Sequence, residues 1–151
     1  MTHPKEVPAS HLLPRLAAEL RNNASIKPPV WAAYARTGVH TERAPVQADW
    51  WYLRTASVLR KLHTGGPSGV SNLAATYGGR RDRGSAPYHA RKGSRSVARE
   101  ILQQLEKAGL VQQVRLRGRT LSPQGQKLLS KVSGEAFKAL AEKDPSLKKY
   151  L

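Results

Sequence analysis

The chain of 151 residues contains no cysteine. Disulfide frameworks, thiolate metal sites and cysteine nucleophiles are therefore excluded. The apolar stretches are far shorter than the roughly 20 residues that a membrane-spanning helix needs. The N-terminal sequence lacks the basic segment and the apolar core of a secretory signal. We therefore expect a cytosolic or nuclear protein that has no membrane partner.

Acidic residues are scarce as well. Asp and Glu total 10 against 26 Lys and Arg, so the net charge is +16. Segments 1–48, 49–92, 93–125 and 126–151 are all basic, with net charges of +3, +6, +4 and +3. This balance favours a polyanionic partner, most simply nucleic acid. Positive charge on several sides suits a protein surrounded by folded RNA, whereas a DNA regulator often has one basic face.

Patterns typical of enzymes are missing. The five histidines are scattered, without an HExxH pair. The nearest approach to a GxSxG elbow, at 69–72, breaks off before the final glycine. The segment GRRDRGS at 79–85 carries serine where a phosphate-binding loop needs lysine. We expect no enzymatic activity, no cofactor, no metal and no small-molecule substrate.

Helical patterns dominate the chain, and each has recognisable start or stop signals. Ser94 is a good N-cap for the most regular helix, and Ser122-Pro123 is a strong start for the last one. Residues 110–121 can pair as a hairpin around Leu116-Arg117-Gly118. The predicted helices cover about 10–22, 30–35, 49–63, 70–77, 94–108 and 126–142.

The order of three helices, a hairpin and a helix is the layout of a winged helix. We therefore predict a mostly α fold: a winged-helix-like helical domain with a small β-hairpin wing and extra N-terminal helices. One domain spans 1–151, with its core at about 49–142. An N-terminal helical extension covers 1–48, and a basic tail covers 143–151.

The segment 78–95 is the most basic part of the chain, with six bases and one acid. It has no apolar period, so we predict a functional loop over 78–93 that contacts phosphates. The two arginines that follow, near the start of the next helix, oppose the helix dipole, which makes sense if phosphate lies there. The predicted RNA-binding residues of this region are Arg80, Arg81, Arg83, Arg91, Lys92, Arg95 and Arg99.

Two further groups could contact RNA. In the 49–63 helix, one tryptophan of the Trp50-Trp51-Tyr52 cluster could stack on a base or ribose, while the others anchor the core. In the predicted wing, alternating arginines would point to one side of the hairpin, although an ordinary solvated hairpin is the alternative. These groups add Trp50, Arg54, Arg60, Lys61, Arg115, Arg117 and Arg119 to the candidates.

Over most of its length the sequence resembles the eukaryotic and archaeal small-subunit ribosomal protein family S19e. The matching segments include PVW at 29–31, DWWYLRTAS at 49–57, YGGR at 77–80, GSRSVAR at 93–99 and GRTLSPQGQ at 118–126. The chain departs from the family pattern at two places. Glu100 stands where a basic residue is common, and Arg117 replaces the first glycine of the wing turn.

The resemblance implies a structural protein in the head of the small ribosomal subunit. It implies binding to the 3′ domain of small-subunit ribosomal RNA, contact with neighbouring ribosomal proteins and a role in maturation of the RNA precursor. It also implies a cytoplasmic ribosomal location, with a nucleolar stage if the source is eukaryotic, and no obligate homo-oligomer. A winged-helix DNA-binding regulator and an assembly factor absent from the mature subunit stay open as alternatives.

Overall fold

The computed structural model describes residues 4–143, which form five α-helices, one short 3-10 helix and two separate antiparallel hairpins. The mostly α fold with a small wing is confirmed. No helix in this part of the chain has the length and apolar character to cross a membrane. The helices are α1 (Ala9–Arg21), α2 (Trp50–Gly65), α3 (Val70–Thr76), α4 (Arg95–Lys107) and α5 (Pro123–Lys143), with the 3-10 helix at Val30–Ala33; the strands are β1 (Gly79–Arg83), β2 (Ala86–Arg91), β3 (Val111–Val114) and β4 (Gly118–Leu121).

The helix starts follow the capping signals in the sequence. The Ser94 hydroxyl accepts a hydrogen bond from the backbone N–H of Val97 at 3.3 Å, and the Ser122 hydroxyl accepts one from Gly125 at 3.1 Å. Asp49 occupies the N-cap position of α2 but makes no capping hydrogen bond through its side chain. The basic tail predicted at 143–151 lies outside the described residues, apart from Lys143 at the end of α5.

The first helix continues through Pro14. A proline inside a helix costs about 3 kcal/mol, because it removes one hydrogen bond and crowds the preceding turn. The apolar side of α1 offsets this cost: Leu12, Leu16 and Leu20 are all buried, and each buried leucine contributes about 1.5–3 kcal/mol. This side packs against α2 and α5, so the N-terminal extension shares one core with the rest of the protein.

The winged-helix arrangement is formed by α2, α3, α4 and the β3–β4 hairpin, which we call the wing. Ser68, between α2 and α3, pairs with Arg119 of β4 through two backbone hydrogen bonds of 2.9 and 3.0 Å. Gly118 permits this pairing, since a Cβ at that position would lie 2.7 Å from the backbone of Ser68. Val111 and Leu121 anchor the two strands of the wing in the core.

The prediction of an irregular loop over 78–93 was wrong. Strands β1 and β2 form an antiparallel hairpin there, which we call the basic hairpin, with a register shift between Arg81 and Arg83. Nearly every residue of both strands is exposed, so no alternation of apolar and polar residues signals the strands. Its base is fixed by the backbone hydrogen bond from Gly93 to Ala74, at 2.8 Å.

Candidate nucleic-acid interface

Three side chains of α2 converge on Tyr77, which follows the last residue of α3. The Arg54 guanidinium carbon lies 4.3 Å from the centroid of the Tyr77 ring, and Lys61 Nζ lies 4.9 Å from it. The Tyr77 hydroxyl donates a hydrogen bond to Ser57 Oγ at 2.8 Å. The spacing of three and four residues places Arg54, Ser57 and Lys61 on one side of the helix. We call this group the Tyr77 cluster.

Electrostatics in the Tyr77 cluster favour an anion. Burial lowers the pKa of the Arg54 guanidinium, and the neighbouring Tyr77 opposes this effect. Burial also raises the pKa of Tyr77, against smaller opposite effects of the Ser57 hydrogen bond and of Arg54. At neutral pH the phenol is therefore neutral, whereas an arginine keeps its charge. Within residues 4–143, no carboxylate forms an ion pair with Arg54, so this half-buried cation can bind a phosphate without first losing a protein partner.

The two adjacent tryptophans of α2 have different environments. Trp51 is buried, and its indole N–H donates to Gln104 Oε1 at 3.1 Å. Gln104 in turn donates to the Lys27 carbonyl at 2.7 Å and to Glu100 Oε1 at 3.2 Å. Trp50 is only partly buried and packs edge to face on Trp51, with ring centroids 5.3 Å apart. Trp51 therefore anchors the core, while Trp50 retains surface for a ligand.

The basic hairpin presents cations on both of its faces. Arg80 pairs in register with Ala90, and Arg81 pairs with His89, so the two arginines point to opposite faces. The Arg80 guanidinium carbon lies 5.1 Å from the centroid of the Tyr88 ring. The hairpin therefore resembles a two-sided positive arm. The predicted residues that are exposed on it or next to it are Arg80, Arg81, Arg83, Arg91 and Lys92.

Charge continues from the base of the basic hairpin onto α4. Arg95 and Arg99 are both exposed, and their spacing of four residues places them on one side of the first turns of α4.

Arg60 of α2 has a different environment from the other predicted arginines. It is half-buried, and its Nη2 donates to the Val7 carbonyl at 3.5 Å, so it contacts the segment before α1 instead of the Tyr77 cluster.

The prediction that three alternating arginines lie along the wing was wrong. Arg115 and Arg117 belong to the turn that joins β3 and β4, together with Leu116, whose φ of 64° places it in the left-handed region. Only the third arginine lies in a strand, and Arg119 forms an ion pair with Glu106, with Nη2 and Nε each 2.9 Å from Oε2. The turn therefore exposes two arginines, whereas Arg119 ties the wing to α4.

Sequence reasoning missed two residues of this surface. Tyr77 is predicted as the end of a short helix and as part of the YGGR segment, but not as a site residue, because its contacts depend on the approach of α2, which no local pattern shows. Arg43 lies in a segment read as plain loop, yet it is exposed beside Trp50 and Arg54 in one cavity of about 330 Å³. A basic residue in a loop carries no periodic signal, so only the fold brings it to the site.

Comparisons with known proteins identify the family of the chain. A family model described as ribosomal protein S19e matches residues 3–139. The chain is 49% identical to the small ribosomal subunit protein eS19 of Aeropyrum pernix, and the alignment covers all of both chains. Proteins of the same name from Thermoplasma volcanium and Thermoplasma acidophilum are 46% and 44% identical, again over full length. The chain therefore belongs to the S19e family of structural, non-enzymatic proteins of the small ribosomal subunit.

Proposed function

We propose that this ribosomal protein binds the 3′ domain of small-subunit ribosomal RNA in the subunit head, beside neighbouring small-subunit proteins. The observation that carries the proposal is the Tyr77 cluster, in which a half-buried arginine lies on an aromatic ring and, within residues 4–143, forms no ion pair with a carboxylate. The basic hairpin and the start of α4 extend this positive surface. The interface residues are Trp50, Arg54, Lys61, Arg80, Arg81, Arg83, Arg91, Lys92, Arg95 and Arg99, with Arg115 and Arg117 at the tip of the wing.

The salt dependence of RNA binding tests the proposal. Replacing Arg80, Arg81 and Arg83 together by glutamine should lower the slope of log K against log salt by about two, because each lost phosphate contact removes roughly 0.7–0.9. The affinity for a 3′-domain fragment would be measured by filter binding across a series of salt concentrations.

A matched variant controls for charge alone. Lys127, Lys131 and Lys138 are exposed on α5, a helix that contributes no residue to the Tyr77 cluster. Their replacement by glutamine also removes three positive charges. This control should change the slope by less than about 0.7, the contribution of a single phosphate contact. Equal changes in both variants would show that the basic hairpin does not contact the RNA.

We further propose that binding supports maturation of the RNA precursor, with a nucleolar stage if the host is eukaryotic. In cells that carry only the triple arginine variant, we expect precursor RNA to accumulate and mature small subunits to decline. Sucrose gradients at high salt should also show less of the variant than of the wild type on small subunits. Wild-type protein found only on precursor particles would instead indicate an assembly factor.

A further inference from the structure

Two adjacent cavities lie on this surface, and we call them together the groove. The first, of about 330 Å³, lies along α2 and is lined by Trp50 and Arg54. The second, of about 620 Å³, lies beside the basic hairpin and is lined by Arg80 and Tyr88. Thr41 and Arg43 line both cavities, so the two cavities are adjacent.

We infer that this groove binds an unpaired segment of RNA, with bases against Trp50 and Tyr88 and phosphates against Arg43 and Arg54. The inference rests on the proposed RNA-binding function and specifies the form of RNA that this part of the surface accepts. A duplex contacts proteins mainly through its backbone and its 2′-hydroxyls, whereas unpaired bases can stack on aromatic side chains.

Both aromatic residues have a free surface where a base could stack. Trp50 is supported by Trp51 on one side and lines the groove with the rest of its ring. Tyr88 is 52% exposed, and Arg80 covers part of its ring. Surfaces that bind single strands combine two features, a positively charged groove and exposed aromatic rings, and both are present here. The inside of a duplex offers no base face to such rings, so only an unpaired segment uses them.

The charges divide the groove into two ends. At the α2 end, Arg43 and Arg54 line the cavity, and none of the described residues that line it carries a carboxylate. At the hairpin end, Glu42 and Asp82 line the cavity together with Arg80. A carboxylate repels phosphate but accepts hydrogen bonds from the amino groups of bases. Within the groove we therefore expect the RNA backbone to approach the α2 end and base edges to face the hairpin end, whereas Arg81 and Arg83, which do not line this cavity, contact phosphates outside it.

The wall of the groove is held in place before any RNA binds. Thr41 Oγ1 donates to the Gly38 carbonyl at 2.8 Å, and Arg36 Nη1 donates to the Thr41 carbonyl at 3.3 Å. The backbone N–H of Ser94 donates to the Thr37 carbonyl at 2.8 Å, which attaches the segment before α2 to the start of α4. A preformed wall reduces the entropy lost on binding.

Two exposed residues test the inference without disturbing the core. We would measure the binding of a short unstructured RNA strand and of a blunt RNA duplex of equal nucleotide number by fluorescence anisotropy at one salt concentration. Tyr88→Leu should weaken single-strand binding by about fivefold or more, the lower end for one stacked base, and weaken duplex binding by less than about twofold. Arg43→Gln removes a phosphate contact of the groove and should weaken single-strand binding more than duplex binding. Tyr88→Phe should retain wild-type binding.

Arg21→Gln is the matched control, because Arg21 is exposed on α1 and α1 contributes no residue to either cavity. Arg21→Gln should weaken the binding of the single strand and of the duplex by the same factor. If Tyr88→Leu and Arg43→Gln behave like Arg21→Gln while the wild type still binds the 3′-domain fragment, the groove inference is wrong and the proposed function stands. If the wild type binds no RNA at all, both are wrong.

Discussion

The basic hairpin and the wing are both two-stranded antiparallel units of similar length, yet they are used in opposite ways. The wing buries Val111 and Leu121 in the core and pairs Arg119 with Glu106. The basic hairpin buries no residue of either strand and exposes its arginines. A two-stranded hairpin alone is marginally stable in water. The basic hairpin is therefore held by its attached base, and its exposed strands are free to meet a partner.

The position of the basic hairpin in the chain also bears on the DNA-regulator alternative. A helix-turn-helix motif joins its two helices by a turn of about 3–4 residues. Here the whole of segment 77–94, including both strands, lies between α3 and α4. An arm of that size stands beside the start of α4, the helix that would enter a DNA groove. The same arm enlarges the positive surface, which favours folded RNA.

The largest expected difference between the two hairpins concerns stability. Leu121→Ala in the wing should lower the free energy of unfolding by about 2–5 kcal/mol, since it leaves a cavity at a residue only 4% exposed. Tyr88→Ala in the basic hairpin should change it by no more than about 0.5 kcal/mol, because that side chain is half exposed. Urea denaturation followed by circular dichroism measures both. A comparable loss in Tyr88→Ala would mean that the basic hairpin belongs to the folded core.

Elements that bury an apolar stripe were predictable from sequence. Both helices that follow a capping serine were predicted: α4 lies within the predicted 94–108, and α5 begins directly after Ser122, as its start signal indicates, three residues before the predicted range of 126–142. The strands β1 and β2 have neither a buried face nor a period, so the chain there was predicted as a loop. What fixes them is the close approach of Gly93 to α3, where a Cβ would lie 2.6 Å from the Tyr77 carbonyl oxygen.

The sequence was enough to predict the residue types of the candidate site, but not the contacts that each residue makes. Composition predicted that the arginines bind RNA, and the structure brings two of the predicted residues, Arg54 and Lys61, together at the ring of Tyr77. The same reasoning could not separate Arg60 and Arg119 from their neighbours, because a hydrogen bond to the Val7 carbonyl and an ion pair with Glu106 depend on residues distant in sequence. Long-range partners decide whether an arginine stabilises the fold or stays available for a ligand.

The smallest expected difference concerns single charges in the two hairpins. Arg119→Gln should cost about 1 kcal/mol of stability, the upper end for a partly exposed ion pair, and leave the salt slope of RNA binding unchanged. Arg81→Gln should do the reverse: it should lower the slope by about 0.7–0.9 and leave the urea midpoint unchanged, since Arg81 is exposed.

Glu106→Gln completes a double-mutant cycle for the wing, because it removes the acidic partner of the same ion pair. Its loss of stability should match that of Arg119→Gln, and the double variant should be no less stable than either single one within about 0.5 kcal/mol. If Arg119→Gln instead lowers the salt slope, the arginine contacts phosphate in the complex. The wing would then share the RNA-binding role of the basic hairpin, and the contrast between the two hairpins would be lost.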